Sequence, residues 1–180
     1  MNVSVPFTVE QAKKLKAGDV VNISGVIYTA RDAAHKRMLE EYDKTGKFPF
    51  DIYNQIVYYA GPAPAKPNEV IGSVGPTTSY RMDAYSPVLL RFGLRGMIGK
   101  GIRNNEVIQA MKQYTGVYFG ATGGAGALLT KHIESVEVIA YEDLGAEAIR
   151  KLVVKDFPVI VIIDSEGNNL YETEPIKYRK

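Results

Sequence analysis

The sequence predicts a single α/β domain with a mixed sheet at its centre. A β-rich first part is followed by strands and helices that alternate, a pattern typical of layered β/β/α and α/β domains. The 180 residues are enough for one good core, and no linker or internal repeat divides them. We therefore expect one layered domain over residues 1–180, with at least one central sheet buried on both faces.

The helices are predicted from runs of helix-forming residues that begin at a capping residue and end before a glycine. Residues 8–16 begin with a capping threonine and end before Gly18, and residues 30–45 are rich in helix formers and stop at Gly46. Further helices are expected over 85–92, 104–114 and 124–132. The later helices alternate with short strands, which favours helices packed on a sheet.

Runs of β-branched and alternating residues predict the strands. Val20–Thr29 (VVNISGVIYT) is the first of them. The prolines of 61–69 mark a loop, and the sequence DSEG at 164–167 marks a turn. Further strands are expected over 56–60, 70–74, 96–98, 117–119, 135–141, 148–154 and 159–163.

The charges and the scarce residue types exclude several classes of protein. The 22 basic and 20 acidic residues are interspersed, unlike those of a nucleic-acid or membrane-surface protein, but they leave room for a small anionic substrate. With no cysteine and two histidines, the chain offers no disulfide, no thiolate ligand for a metal or iron–sulfur cluster, and no histidine cluster for a catalytic metal. No apolar run approaches the roughly 20 residues of a membrane-spanning helix, and the first residues lack a signal-peptide core, so we expect a cytoplasmic protein.

The segment 75–101 (GPTTSYRMDAYSPVLLRFGLRGMIGKG) is the densest in chemically useful residues. Its opening GPTT combines a turn with two hydroxyls, including that of Thr77, and Arg81 and Asp83 follow soon after. Arg81 could hold a carboxylate through two parallel hydrogen bonds while a threonine hydroxyl exchanges a proton nearby. The alternative, which the spacing alone favours, is a capped turn entering a helix, with Arg81 and Asp83 paired on the surface.

Gly99-Lys100-Gly101 follows a predicted strand, where α/β sheets usually carry their functional groups. The glycines would let the backbone approach a ligand closely, and Lys100 would supply a point charge. The motif is not a Walker phosphate loop, because Leu94 and Gly101 stand where that loop needs glycine and Ser or Thr. Taken alone, it favours a glycine turn with a solvated lysine.

Arg31 and His35 lie four residues apart at the start of the helix predicted over 30–45. They share one helix face and could together bind a carboxylate. Cations at a helix start oppose the helix dipole unless an anion is near, which favours a functional role. The alternative is a helix capped by Asp32, with His35 packed in place or paired with a neighbour such as Glu40, and the sequence does not decide between the two.

The glycine-rich segment 120–126 precedes an apolar run and opens a predicted helix. Its free N–H groups could receive an anion or a nucleotide phosphate. Small residues there could instead permit close packing of helix and sheet, and a dinucleotide fingerprint is missing. An independent nucleotide-binding enzyme is therefore disfavoured.

Several separated segments carry a resemblance to a known family. They are ARDAAH at 30–35, YYAGPAPA at 58–65, GPTTSYRMDAYSP at 75–87, GMIGKG at 96–101, and YEDLGAEAI with DFPVIVIIDSEGN within 141–168. In this order and spacing, across nearly the whole chain, they resemble the C-terminal domain of class I fumarases and the related beta subunit of L(+)-tartrate dehydratase. The combination of GPTT, RMD and GKG is far more specific than any of its pieces.

The resemblance implies a swivelling β/β/α fold and a larger alpha subunit that carries a [4Fe-4S] cluster, without which this chain is inactive. The cluster iron would act as a Lewis acid on the departing hydroxyl of the substrate. On the matching positions, Arg31 and Arg81 would clamp the carboxylates of a small dicarboxylate substrate, Lys100 would add charge, and Thr77 would take part in proton transfer. Thr77, Arg81 and Lys100 are therefore the expected catalytic residues, and Thr77 would need activation by a partner carboxylate.

The resemblance leaves the substrate open. Reversible hydration of fumarate to malate is expected, with dehydration of tartrate as the closest alternative and a non-enzymatic anion-binding or assembly module as the alternative from another class. Ser79-Tyr80 replaces a smaller Ala-Gly pair often seen in this motif, which puts substrate identity in question. His35 and Asp83 are secondary candidates for substrate binding, and the isolated chain could form homo-oligomers.

Overall fold

Within residues 1–121 and 126–177, which the computed structural model describes, the chain forms an α/β domain with a mixed, seven-stranded sheet, as predicted. The strands are β1 (Asn2–Ser4), β2 (Val20–Thr29), β3 (Ile56–Tyr58), β4 (Gly96–Gly99), β5 (Val117–Ala121), β6 (Ile133–Ala140) and β7 (Ile149–Ile163). The helices are α1 (Val9–Lys14), α2 (Asp32–Thr45), α3 (Ser86–Arg91), α4 (Asn105–Tyr114), α5 (Gly126–Leu129) and α6 (Leu170–Lys177), with 3-10 turns at Ser79–Met82, Thr130–His132 and Glu142–Glu147. No helix in this part of the chain is long and apolar enough to cross a membrane.

Strand pairing closes part of the sheet into a ring. The strand order is β1-β2-β3-β4-β5-β7-β6, and β2 also pairs with β7, so β2, β3, β4, β5 and β7 form a barrel-like closure. Neighbouring strands from β1 to β5 run parallel, whereas β7 runs antiparallel to β2, β5 and β6. The carboxyl ends of β2 to β5 therefore lie at one edge, where α/β sheets usually carry functional groups.

Alternate residues of the ring strands enter two different apolar cores. Ile56 of β3 and Phe119 of β5 belong to a core to which all five ring strands contribute. Their chain neighbours Val57 and Tyr118 belong to a second core, which includes residues of α2, α3 and α4. Each large side chain buried in this way contributes about 1.5–3 kcal/mol. The sheet is thus buried on both faces, as predicted.

The helices predicted in the first two-thirds of the chain are confirmed, together with the capping threonine at position 8 and the stop at Gly46. Thr8 and Gln11 form a reciprocal capping box at α1, with hydrogen bonds of 3.0 and 3.2 Å. Gly46 ends α2 with a left-handed φ of 71°. Asn104 Oδ1 accepts a hydrogen bond of 3.0 Å from the N–H of Val107 and so caps α4. The helix predicted over 124–132 is found as α5 and a 3-10 turn, while residues 124 and 125 lie outside the described part.

The strand predicted over 70–74 is wrong, because this segment packs back on the preceding loop. The N–H of Ala63 donates to the carbonyl of Ser73 at 2.9 Å. A Cβ placed on Gly72 would lie 2.0 Å from the carbonyl oxygen of Ala63. The apolar residues here therefore cover a loop rather than join a sheet.

The strands predicted over 148–154 and 159–163 are in fact one strand, β7. Its pairing with β2 shifts register between Ile23 and Gly25. At this irregularity Asp156 adopts a φ of 50°, and its N–H donates to Ser24 Oγ at 2.9 Å. The residues between the two predicted strands contain a β-bulge. The short β1, the 3-10 turns and α6 were not predicted, whereas the turn at 164–167 is confirmed by a 3.0 Å bond from the N–H of Gly167 to the carbonyl of Asp164.

Candidate active site

The segment 75–79 crosses the carboxyl ends of β3 and β4 and gathers predicted site residues there. The N–H of Thr77 donates to the carbonyl of Tyr59 at 2.6 Å, just beyond β3. The N–H of Ser79 donates to the carbonyl of Lys100 at 2.8 Å, just beyond β4. These backbone bonds hold Thr77 and Lys100 at the same edge of the sheet.

Gly99 allows the segment 75–79 to lie directly on β4. A Cβ on Gly99 would lie 2.0 Å from Ser79 Oγ and 2.9 Å from Cδ2 of Tyr59, so any side chain would push the segment away. Gly101 has a φ of +86°, which L-residues rarely adopt. Gly99 thus serves the close approach of the chain itself, whereas the sequence predicted the approach of a ligand, and Gly101 serves a backbone conformation that favours glycine.

Arg31 reaches the same edge from the end of β2. The N–H of Ala30 donates to the carbonyl of Tyr58 at 3.1 Å, and Arg31 occupies the position before α2. Arg31 Nε lies 3.8 Å from a carboxylate oxygen of Glu147 and 3.9 Å from one of Asp32. It nevertheless has no hydrogen-bond partner among the described residues. Its guanidinium is flanked by carboxylates without being held by them, which leaves donors for an anion.

His35 is fully buried against the rings of Tyr59 and Tyr85, 5.4 and 6.0 Å away between centroids. Burial lowers the pKa of His35 to about 4, although its hydrogen bond to Arg31 opposes the shift. The neutral ring donates from Nδ1 to the carbonyl of Arg31 at 2.7 Å, a tautomer assigned from that partner. Nε2 is then an acceptor without a partner in the described chain. The neutral ring offers no positive charge to a carboxylate, and the packing alternative describes it better. The predicted cap by Asp32 is wrong, because Arg31 holds the N-cap position of α2 and its side chain makes no capping hydrogen bond there.

Arg81 and Lys100 are exposed, and neither has a counter-charge in the part of the chain that the structure describes. Arg81 belongs to the 3-10 turn Ser79–Met82. Within the described residues, the side chains of Arg81 and Lys100 form neither an ion pair nor a hydrogen bond. Unpaired cations on one edge attract anions. The alternative in which Arg81 pairs with Asp83 on the surface is wrong.

Asp83 is buried and bonded to groups that sequence reasoning missed. Its Oδ1 accepts a 2.7 Å bond from Arg103 Nε, and its Oδ2 accepts a 2.8 Å bond from the N–H of Asn104. Arg103 also reaches Ser86 Oγ at 2.8 Å and Tyr59 Oη at 3.3 Å. No spacing in the sequence indicates this network, because its members come from three separate segments, at 59, at 83–86 and at 103–104.

Ser79 and Tyr118 join the segment 75–79 to the turn after β4. Tyr118 Oη donates to the carbonyl of Gly101 at 2.8 Å, so it must accept the 2.8 Å bond from Ser79 Oγ. Burial raises the pKa of Tyr118, which keeps the phenol protonated and able to donate. Ser79 therefore has a structural partner in Tyr118.

The predicted glycine-rich segment 120–126 adjoins the site at its two ends, while 122–125 lie outside the described residues. A Cβ on Gly126 would lie 2.5 Å from Ser73 Oγ and 2.6 Å from the backbone nitrogen of Gly75. Close packing, one of the two interpretations of this segment, is thus present at Gly126.

Comparison with known proteins decides the family. A family model described as the fumarase C-terminus matches residues 1–174. The chain belongs to the fumarase C-terminal family. Its relatives include a putative class I fumarate hydratase of Geobacillus stearothermophilus (40% identical over 177 residues), a putative L(+)-tartrate dehydratase subunit beta of Methanocaldococcus jannaschii (40% over 172) and the aerobic class I fumarate hydratase of Escherichia coli K12 (38% over 154). The resemblance drawn from the sequence motifs is confirmed.

These members of the fumarase C-terminal family differ in length. The match covers 96% of this chain but 34% of the Geobacillus protein, and 84% of this chain but 28% of the E. coli protein. For the Methanocaldococcus subunit beta the shares are 92% and 88%. The chain thus spans about a third of its fumarate hydratase relatives and most of the tartrate dehydratase subunit beta.

Proposed function

We propose that this chain is the smaller subunit of a hydro-lyase that reversibly hydrates fumarate to malate. The observation that carries the proposal is the edge at which Arg31, Arg81 and Lys100 meet the segment of Thr77, with Arg81 and Lys100 unpaired in the described residues. An enzyme that acts on a dicarboxylate needs two cationic side chains to bind its carboxylates and a nearby group that transfers a proton. We further propose one domain over 1–180, of swivelling β/β/α type, in a cytoplasmic enzyme.

Each residue of the edge has a chemical role in this proposal. Arg31 and Arg81 bind the two carboxylates through charge-assisted hydrogen bonds worth about 1.5–3 kcal/mol each. Lys100 offsets negative charge that develops as the proton leaves. Thr77 moves that proton, because its backbone is fixed by Tyr59 while its hydroxyl has no hydrogen-bond partner among the described residues. A threonine hydroxyl is a poor base, so a carboxylate of the larger subunit must activate it.

Asp83 and His35 receive supporting roles rather than substrate contacts. Both carboxylate oxygens of Asp83 are engaged by the chain itself. His35 is enclosed and neutral, and its bond to the Arg31 carbonyl fixes the backbone from which that guanidinium extends. We assign both to holding the arginines in place.

The chain itself does not fit a [4Fe-4S] cluster. Such clusters are held by cysteine thiolates, and the chain has no cysteine. No group of three or more His, Asp or Glu side chains that could hold a metal occurs in the described residues. We therefore assign the cluster and its Lewis-acid chemistry to a larger alpha subunit. Tyr80 and Ile102, 60% and 70% exposed beside Arg81 and Lys100, supply apolar surface for that subunit.

Dehydration of tartrate is the second candidate, favoured by length. The relative that this chain covers to 88% of its length is named a tartrate dehydratase subunit beta, whereas the fumarate hydratase relatives are about three times longer than the match. Both reactions use a hydroxylated dicarboxylate and the same cationic edge, so the geometry does not separate them.

The test is anaerobic co-expression of this chain with a candidate cluster-bearing alpha subunit. Loss of fumarate absorbance by the purified pair, and not by either chain alone, is the expected result. Tartrate dehydration without fumarate hydration would select the second candidate. A pair with an intact cluster that acts on neither substrate would refute the hydro-lyase proposal and leave a binding or assembly module.

A further inference from the structure

Arg103 is a fully buried arginine whose side chain contacts Tyr59 and Asp83, the residues that anchor Thr77 and Arg81. Its side chain is 0% exposed and makes an ion pair of 2.7 Å with Asp83. Its guanidinium also lies 5.3 Å from the ring of Tyr59 and 4.9 Å from that of Tyr118. Burying a charge in this way is unfavourable unless every donor finds a partner, so a specific arrangement is needed to keep it there.

The directions of the hydrogen bonds around Arg103 follow from the number of protons available. Ser86 Oγ donates to the carbonyl of Met82 at 2.9 Å, so it accepts from Arg103 Nη2 at 2.8 Å and from Tyr59 Oη at 3.0 Å. Tyr59 Oη then accepts from Arg103 Nη2 at 3.3 Å. Each hydroxyl has one proton and each is used, so the network has a single consistent arrangement.

This network reaches both ends of the segment that bears the proposed catalytic groups. Tyr59 holds one end, because its carbonyl accepts the N–H of Thr77 at 2.6 Å. Asp83 holds the other end, since it lies two residues after Arg81 and ends the 3-10 turn. One planar guanidinium therefore bridges the anchor of Thr77 and the anchor of Arg81.

A lysine could not replace this bridge. A guanidinium presents donors in a rigid fork, so Arg103 can bind Asp83 through Nε while Nη2 binds Ser86 and Tyr59. An ammonium group is a single point charge that would satisfy one side and leave the other without its donor.

We propose that Arg103 is a positioning residue that sets the distance between the Thr77 hydroxyl and the Arg81 guanidinium. The proposal rests on the function assigned above to those two residues. It adds a specific claim: activity depends on a buried group that touches no substrate, through the spacing of the two groups that do.

Arg95 provides a matched control for the test. It is also buried, at 3% exposure, and bonds to Asn54 Oδ1 and to the carbonyls of Tyr114 and Thr115. It lies at the start of β4, at the opposite edge from Lys100. Loss of Arg95 should therefore destabilise the chain without moving the site.

The experiment compares Arg103→Lys, Arg103→Met and Arg95→Met in the assembled two-subunit enzyme, with Tyr59→Phe as a variant that removes only one hydroxyl. We expect kcat to fall by about 100-fold in both Arg103 variants, because a displacement of about 1 Å has that effect on catalysis. Tyr59→Phe should show a smaller loss in the same direction, and Arg95→Met should stay within about two-fold of the wild type. Equal losses for Arg103→Met and Arg95→Met would overturn the proposal.

Amide hydrogen exchange on the full chain separates this proposal from the proposed function. If Arg103 anchors the segment, exchange of the Thr77 and Ser79 amides should accelerate at least about ten-fold in Arg103→Lys and Tyr59→Phe, but not in Arg95→Met. Unchanged exchange at both amides would overturn the inference even if the enzyme hydrates fumarate. Accelerated exchange in the two variants, together with an assembled wild type that acts on no hydroxy acid, would sustain the anchoring and refute the hydro-lyase function alone.

Discussion

The buried His35 should make the stability of this chain fall steeply in mild acid. Its pKa in the folded chain is about 4, lowered from 6.5 mainly by burial, with the charge of Arg103 acting in the same direction and Asp32 acting against it. At a pH between these two pKa values, His35 is protonated in the unfolded chain but not in the folded chain. The stabilisation is therefore complete above pH 6.5 and is lost as the pH falls towards 4. Linkage gives a loss of about 2 kcal/mol between pH 7 and pH 5 from this one group.

The assay is urea unfolding of the full chain at pH 7, 6 and 5, with His35→Gln and His132→Gln as variants. His35→Gln keeps a donor and an acceptor but cannot titrate, so its stability should fall by about 2 kcal/mol less than that of the wild type over this range, or about 1 M in urea midpoint. His132, partly exposed and bonded to the carbonyl of Lys155, serves as the control, and its variant should follow the wild type. Parallel curves for the wild type and His35→Gln would refute the buried, neutral assignment.

Two further predictions concern the cationic edge and the glycine beneath it. Arg81→Ala should lower the activity of the assembled enzyme by at least about 100-fold and change the unfolding free energy by less than about 0.5 kcal/mol, since the side chain is exposed and unpaired among described residues; near-wild-type kinetics would remove Arg81 from the site. Gly99→Ala should destabilise the chain by about 1–3 kcal/mol and lower activity, because the added Cβ would lie 2.0 Å from Ser79 Oγ. A thermal melt and a kinetic assay matching the wild type would show that the segment carrying Thr77 does not rest on β4.

The elements of this fold were predictable where the signal is local. The box of Thr8 and Gln11, the stop at Gly46 and the cap at Asn104 are short-range patterns, and each marks a helix end in the structure. The pairing of β2 with β7 was not predictable, because it joins residues more than a hundred positions apart and closes the sheet without any local signature. The bulge at Asp156 belongs to the same distant pairing, and the sequence predicted two strands where the structure has one.

For the candidate site, too, the sequence predicted some of the residues and missed others. Arg31, Arg81 and Lys100 were predicted from the family resemblance of short motifs, whereas the motifs of Arg81 and Lys100 taken alone favoured a structural interpretation. Arg103 and Tyr118 were missed, because a buried polar group is recognised by its partners and those partners come from distant segments.

The candidate site has a buried layer, Arg103 with Asp83, and an exposed layer, Arg81 with Lys100. The two layers have opposite electrostatic requirements, and this difference explains their arrangement. Arg103 is buried and matched to Asp83, so its energy depends on geometry and resists displacement. Arg81 and Lys100 are exposed to water and have no partner among the described residues, so the cost of their charge is small and the gain comes only when an anion arrives and solvent leaves. A rigid buried layer whose charges are paired can fix the positions of exposed cations that are not paired. Pairing those exposed cations within the chain would remove their attraction for a dicarboxylate. The strength of that attraction must therefore depend on how completely the larger subunit proposed above excludes water from the edge.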